Sequence, residues 1–200
     1  VTLMQILSVI ALALPGDRLM AIEEPDYLVV RETPDYELRR YEAQILAETE
    51  VPGPFDKAGN RAFGILADYI FGANQTSRKI AMTAPVSQRP ATGDDEDAGV
   101  RIEMTAPVTQ RPKDEGSETY VVSFVMPERF TLDSLPRPND SRITLREEPG
   151  RLMAVRRYSG RWAESRYRRE EAQLLAALRA DGLNPVGRPI YARYNSPFSL

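Results

Sequence analysis

The chain contains no histidine and no cysteine, so any chemistry must come from methionine, tyrosine, arginine and the carboxylates. Met82 and Met104 hold equivalent positions in a short repeat, KIAMTAPVSQRP at 79–90 and RIEMTAPVTQRP at 101–112. A thioether can ligate iron, yet methionine is also an ordinary core filler. Phenolates are a second ligand type. Tyr36, Tyr41, Tyr69, Tyr120, Tyr158, Tyr167, Tyr191 and Tyr194 fall in stretches that read as strand or helix. There, a half-buried ring with a hydrogen-bonded hydroxyl is the plainer role. Arg39–Arg40 and Arg156–Arg157 sit inside strand-like runs, so one of each pair faces inward or lies at a rim. Rim arginines beside an apolar groove suit carboxylates. The other reading is a solvated face with acidic partners such as Glu42 or Glu147.

The absences narrow the chemistry. Without histidine the chain lacks the usual general base, the commonest metal ligand and any His-containing triad. Without cysteine it has no disulfide, zinc-thiolate site, iron–sulfur cluster or thiol nucleophile, and the compartment stays open. There is no G-x-G-x-x-G, Walker loop or G-x-S-x-G. The acidic run at 94–97 lacks the glycine and spacing of a calcium loop. Asn74-Gln75-Thr76 matches the glycosylation triplet without a context that would use it. The formal net charge of −3 gives no whole-chain pull toward nucleic acid. These features point to a non-enzyme with no built-in metal site.

The elements that position these residues come in two halves. The first reads as strand 27–32, strand 36–50, helix 54–72 and strand 79–88. The second reads as strand 142–147, strand 151–158, helix 161–181 and strand 186–194. YELRRY at 36–41 and MAVRRY at 153–158 mark the correspondence. Strands at 101–110 and 119–126 join the halves, and the doubled MTAPV segments suggest a hairpin across an acidic loop. Pro85 and Pro107 belong at a strand end, edge or bulge.

In the first helix, Pro54 suits the opening position, and Phe55, Ala58, Ala62, Leu66 and Tyr69 keep core spacing. In the second, Ser159 is a candidate cap, Ala163, Tyr167, Leu174, Leu175 and Leu178 form the stripe, and Glu164–Arg168 and Arg166–Glu170 can pair. The apolar arc of the first helix is wide, roughly 200° at about 100° per residue. Phe63, Ala67 and Ile70 form its flank. That flank is either one wall of a shallow ligand groove or simply deeply buried.

Leu3 to Leu14 is an apolar run too short for a comfortable membrane span and has no basic residue before it. Residues 1–23 read as a leader, with a folded domain over 24–200. If the leader is cleaved the protein is periplasmic or secreted; otherwise it is cytoplasmic or membrane-anchored.

YELRRYEAQILAETEV, FDKAGNRAFGILADYIFGANQTSRKIAMTAPV, VSFVMP, LPRPND and YARYNSPF, taken in order over about residues 25 to 198, resemble the SOUL haem-binding family. The doubled MTAPV is similar to its bacterial branch. The resemblance implies an α+β fold: a distorted antiparallel β-barrel of two pseudo-symmetric βαββ-like halves with two flanking helices. It also resembles the gyrase-inhibitor-like effector-binding domains.

The resemblance further implies non-covalent haem or tetrapyrrole binding, as a carrier or buffer, on an apolar surface beside the first helix. Asn60, Phe63 and Ala67 are its groove positions, with Ile70 beside them and Met82 as a candidate ligand. One branch carries an axial histidine where this chain has Arg40, and a guanidinium is no iron ligand. Asp68 stands where some members have a basic residue. Two alternatives remain: a small-molecule effector-binding module and a ligand-free envelope interaction protein. A cleft with an inward acid such as Glu103 or Glu147 would favour a cationic effector. Neither nucleic acid nor a firm membrane span is expected, and the oligomeric state is open.

Overall fold

A computed structural model of the protein describes the backbone of residues 5–10 and residues 23–75, 99–159 and 163–194. Its elements run β1 (Gln5–Ile10), β2 (Tyr27–Glu32), β3 (Glu37–Tyr41), β4 (Gln44–Pro52), α1 (Phe55–Ile70) and β5 (Asn74–Gln75). Then follow β6 (Val108–Pro112), β7 (Thr119–Val125), β8 (Arg137–Pro138), β9 (Ile143–Glu148), β10 (Arg151–Tyr158), α2 (Glu164–Ala180) and β11 (Ile190–Arg193).

The architecture is α+β. Strands β11-β6-β7-β4-β9 form a five-stranded antiparallel run, and β2-β3-β10 a second antiparallel group. The two strands that carry the RRY motifs, β3 and β10, pair with Leu38 opposite Ala154. Strand β1, from the segment read as a leader, pairs in parallel with both β10 and β11 and joins the groups. Strands β2 and β9 end the sheet order, so among the described residues no pairing closes a barrel. The small pair β5–β8 is separate.

Alternation on β4 and β7 positions the first helix. Ala47 and Val51, with Tyr120, Val122 and Phe124, turn one face toward α1, whose Phe55, Ala58, Ala62, Phe63 and Leu66 complete the main core. A second core packs α2 residues Leu174 and Leu178 on Tyr36, Leu38 and Ala154. Phe55, Tyr167 and Tyr191 stand 5.0–5.3 Å apart between ring centroids, tying α1, α2 and β11 together. At about 25 cal/mol per Å² of apolar surface removed from water, such large rings dominate the stabilisation where the halves meet.

Several expectations are refined. The strand expected over 36–50 is two strands, because β3 pairs with β2 and β10 whereas β4 pairs with β7 and β9. The chain changes partners at Glu42–Ala43. Pro54 is the N-cap of α1 and not its first residue. Helix α2 starts at Glu164 after an extended Ala163, with no side-chain cap, so Ser159 does not cap it. Glu164 pairs with Arg168 as expected. Arg166 instead lies over Tyr158, while the buried Glu170 binds Arg156 of β10. The strand expected at 101–110 begins only at Val108, directly after Pro107. Before it, Ile102 donates to the Ile70 carbonyl, and Asn74 bonds both backbone groups of Val100, pinning this segment to the end of α1. The expected strand 79–88, which is the first arm of the MTAPV hairpin, Met82 and the acidic run 94–97 lie outside the described residues.

Candidate functional site

Helix α1 presents two surfaces. Its inner surface carries Phe63, Ala67 and Ile70, which are 6%, 7% and 1% exposed. The Phe63 ring packs on Phe124 of β7 at 5.4 Å. Of the two readings of this flank, deep burial is the one the structure displays. Its outer surface carries Asn60, Gly64, Asp68 and, one residue past the helix, Phe71, all exposed. Their spacing of four, four and three keeps them on one line of the helix. A Cβ added at Gly64 would meet nothing within 4 Å, so this line is open and flat at its middle. Phe71 is 54% exposed, with the Arg101 guanidinium 5.5 Å from its ring centroid. Arg61, one step round the helix, donates to the Pro52 carbonyl at 3.1 Å.

In each arginine pair the first member is the more buried. Arg39 points inward and is fully buried, whereas Arg40 is exposed on β3. Arg40 sits on β3, which pairs with β2 and β10, whereas α1 packs on β4 and β7. In the second pair Arg156 is half-buried and holds Glu170, Gln173 and Asp35, while Arg157 is exposed and donates to the Tyr27 hydroxyl.

Four of the described tyrosines resist ionisation. Burial pushes the hydroxyls of Tyr69, Tyr167, Tyr191 and Tyr194 well above their ordinary range, so they stay protonated near neutral pH. Tyr69 donates to the Pro136 carbonyl at 2.9 Å, a structural role. Met104 is half-buried against the main core. No group of three or more His, Cys, Asp or Glu that could hold a metal ion occurs among the described residues.

Sequence reasoning did not find a second feature, a cleft of about 490 Å³ at the far ends of β4 and β7. Ile45, Val125, Met126, Pro127, Phe130 and Leu132 give it an apolar lining. Acids rim it, including Glu42, Glu128, Asp133 and Glu147. Its walls come from 23–26, 42–45, 125–128, 130–133, Thr105 and Glu147, so no local motif announces it. Burial pushes the Glu24 carboxyl up, against the pull of Arg157 and Arg39. Of the two acids expected to face a cleft, Glu147 lines this one but is exposed, and Glu103 is exposed and bonded to Arg129. Neither is a buried counter-ion.

No helix among the described residues is long and apolar enough to cross a membrane. With the geometry in place, comparison with known proteins gives a consistent result. The profile of the SOUL heme-binding protein family matches residues 22–96 and 91–200. Human Heme-binding protein 2 is 28% identical over 169 residues, covering 82% of this chain and 72% of that protein. The family match spans well over half of the chain and agrees with the ordered motifs from YELRRY onward: this protein belongs to the SOUL heme-binding protein family.

Proposed function

We propose that this protein binds haem or a related tetrapyrrole non-covalently, as a carrier or buffer and not as an enzyme, without a histidine ligand. The family match over 22–96 and 91–200 carries the reading. The absence of histidine from the chain makes ring capture its mode. We place the ring against the outer line of α1. Asn60, Gly64 and Phe71 face it, and the buried Phe63, Ala67 and Ile70 form the firm floor beneath. Gly64 lets a flat ring approach the helix backbone closely, as a residue without Cβ allows. Arg61 and Arg101 are the cations near enough to meet propionates, as guanidinium forks do. Bound haem supplies iron and a planar ring; this chain supplies a shelf, two cations and a helix held rigid by its core.

An absorbance titration with haemin and with metal-free protoporphyrin tests this. Equal affinity for the two is expected, because ring contact and not iron ligation holds them. Gly64→Gln should weaken both about tenfold or more by occupying the shelf. Glycine is a poor helix former, by roughly 1 kcal/mol against alanine, so this variant should not lose stability. Its loss of binding would report the site and not unfolding. Undiminished binding by Gly64→Gln would remove the α1 shelf. No saturable binding of either ligand in the micromolar range would remove the function.

A further inference from the structure

On β4 and β7 the residues that meet α1 alternate with others that turn away from it: Glu48 and Glu50, with Ser123 and Val121 opposite them. Long side chains from neighbouring segments reach over this second face into one recess of about 350 Å³. Arg111 of β6, Arg146 and Glu148 of β9, Arg151 of β10 and Arg188 ahead of β11 line it, with the buried Ile190 beside them. The lining holds four guanidinium groups and one carboxylate.

The carboxylates within reach are already taken. Glu48 Oε1 accepts from Arg146 Nη2 at 2.9 Å and from the Ser123 hydroxyl at 2.8 Å, and its Oε2 accepts from Arg146 Nε at 2.7 Å. Glu148 Oε1 accepts from Arg151 Nη1 at 2.5 Å, and its Oε2 pairs with Arg146 Nη1. Arg111 is half-buried, stands 3.7 Å from Glu48 Oε1, and makes no hydrogen bond with a described residue. Arg151 spends one nitrogen on Glu148, which leaves its Nε and Nη2 unbonded by described residues. Three guanidinium groups therefore share two carboxylates whose oxygens are all engaged. Arg188 is held from the outer side, by the Lys113 carbonyl and by Asp114 at 3.5 Å.

Burial, with the like charges of Arg146 and Arg111, pulls the Arg151 guanidinium below its ordinary range against the attraction of Glu148. A guanidinium stays charged at neutral pH all the same, so the recess keeps an unbalanced positive field where salt screens less than at the open surface. Guanidinium forks match the oxygens of phosphate. Unbonded donors on two separate strands, β6 and β10, suit an anion with acceptor oxygens on more than one side, which tetrahedral phosphate has and planar carboxylate lacks. We infer that this recess is an anion site, separate from the α1 shelf, and that it takes a phosphate group, either free or carried as the ester of a small molecule. Arg111 and the unbonded nitrogens of Arg151 donate to the phosphate oxygens. Arg146, fixed by Glu48 and Glu148, and Arg188 at the outer side add to the field.

Calorimetric titration of the full chain with inorganic phosphate, phenyl phosphate and acetate, near neutral pH and at fixed ionic strength, tests this. The expected result is saturable one-to-one binding of the phosphates, with acetate at least about tenfold weaker. Phenyl phosphate binding no tighter than phosphate identifies the free ion as the ligand; tighter binding identifies an ester whose body rests on Ile190. Arg111→Gln should weaken both phosphates about tenfold with an unchanged thermal midpoint, because no hydrogen bond to a described residue is lost. Arg142→Gln removes a cation that is bound to Asp140 outside the recess. It should leave phosphate affinity within about twofold of the parent, and both variants should keep the parent's haemin titration. No saturable phosphate binding, acetate binding as tight as phosphate, phosphate binding undiminished by Arg111→Gln, or equal losses in the two variants would overturn the inference. So would a matching loss of haemin affinity in Arg111→Gln, which would make the recess the seat of the ring's carboxylates. Absence of haemin binding by the parent chain leaves the phosphate result standing, so the two readings fail separately.

Discussion

Glu48 of β4 accepts two hydrogen bonds from one guanidinium: Arg146 of β9 donates through Nε at 2.7 Å and through Nη2 at 2.9 Å. From the other side Ser123, directly opposite on β7, donates at 2.8 Å. The carboxylate thus links three adjacent strands of the antiparallel run that carries α1. Burial opposes its ionisation, but the bonds from Arg146 and Ser123 outweigh burial and hold its carboxyl below the usual 4.5. A depressed native pKa makes the contribution complete above about pH 4.5. It is lost as the pH falls through the lower native value. Glu48→Gln keeps the shape and removes the charge. It should cost about 1.5–3 kcal/mol near neutral pH, the range for bonds to charged groups. The gap between parent and variant in urea melts should shrink below pH 4. A gap that persists unchanged into acid would show that Glu48 is not the titrating group.

How much of this was legible beforehand differs by element. Helix α1 was readable because Phe55, Ala58, Ala62, Leu66 and Tyr69 repeat with helical spacing, and all five are buried. The break at Glu42–Ala43 was not, because no glycine or proline interrupts residues 37–51 and only their different partners separate the two strands. The RRY motifs announced an inward arginine without saying which. Arg39 is chosen because Glu37 and Tyr41, each two residues away on the same face of β3, and Tyr27 of β2 surround it; only the Tyr27 contact depends on β2–β3 pairing. The wide apolar arc of α1 was visible, but whether Phe63 met solvent or Phe124 depends on a strand some sixty residues later in the chain.

Asp68 offers a charge test of the α1 shelf. It is exposed on the same line as Gly64 and Phe71, so it repels any ring carboxylate lying there. Asp68→Asn should tighten haemin and protoporphyrin binding about two- to fivefold at low salt, the scale of an exposed charge interaction. The gain should fade with added salt as screening shortens its reach. Protoporphyrin dimethyl ester, which has no free propionate, should not respond. A gain for the ester as large as for the free acid would mean that Asp68 acts through packing. No gain for either would place the ring elsewhere.

The buried guanidinium of Arg39 leads to a prediction about asymmetry. Arg39 side-chain exposure is 0% and that of its partner Glu37 is 23%. Nε of Arg39 donates to Glu37 at 2.8 Å, Nη1 donates to the Tyr41 hydroxyl at 3.2 Å, and the ring of Tyr27 lies 4.1 Å from its centre. Nη2 has no hydrogen-bond partner among the described residues. Removing Glu37 leaves a charge that cannot reach water, and stranding a buried charge costs about 3–5 kcal/mol. Replacing Arg39 with methionine strands nothing comparable, because Glu37 can turn to solvent and the thioether fills the aromatic pocket. Glu37→Ala should therefore destabilise the protein by at least about 2 kcal/mol more than Arg39→Met, read as the difference between their urea midpoints. The reverse order would show that the Tyr27 and Tyr41 contacts of Arg39, and not its pairing with Glu37, carry its contribution to stability.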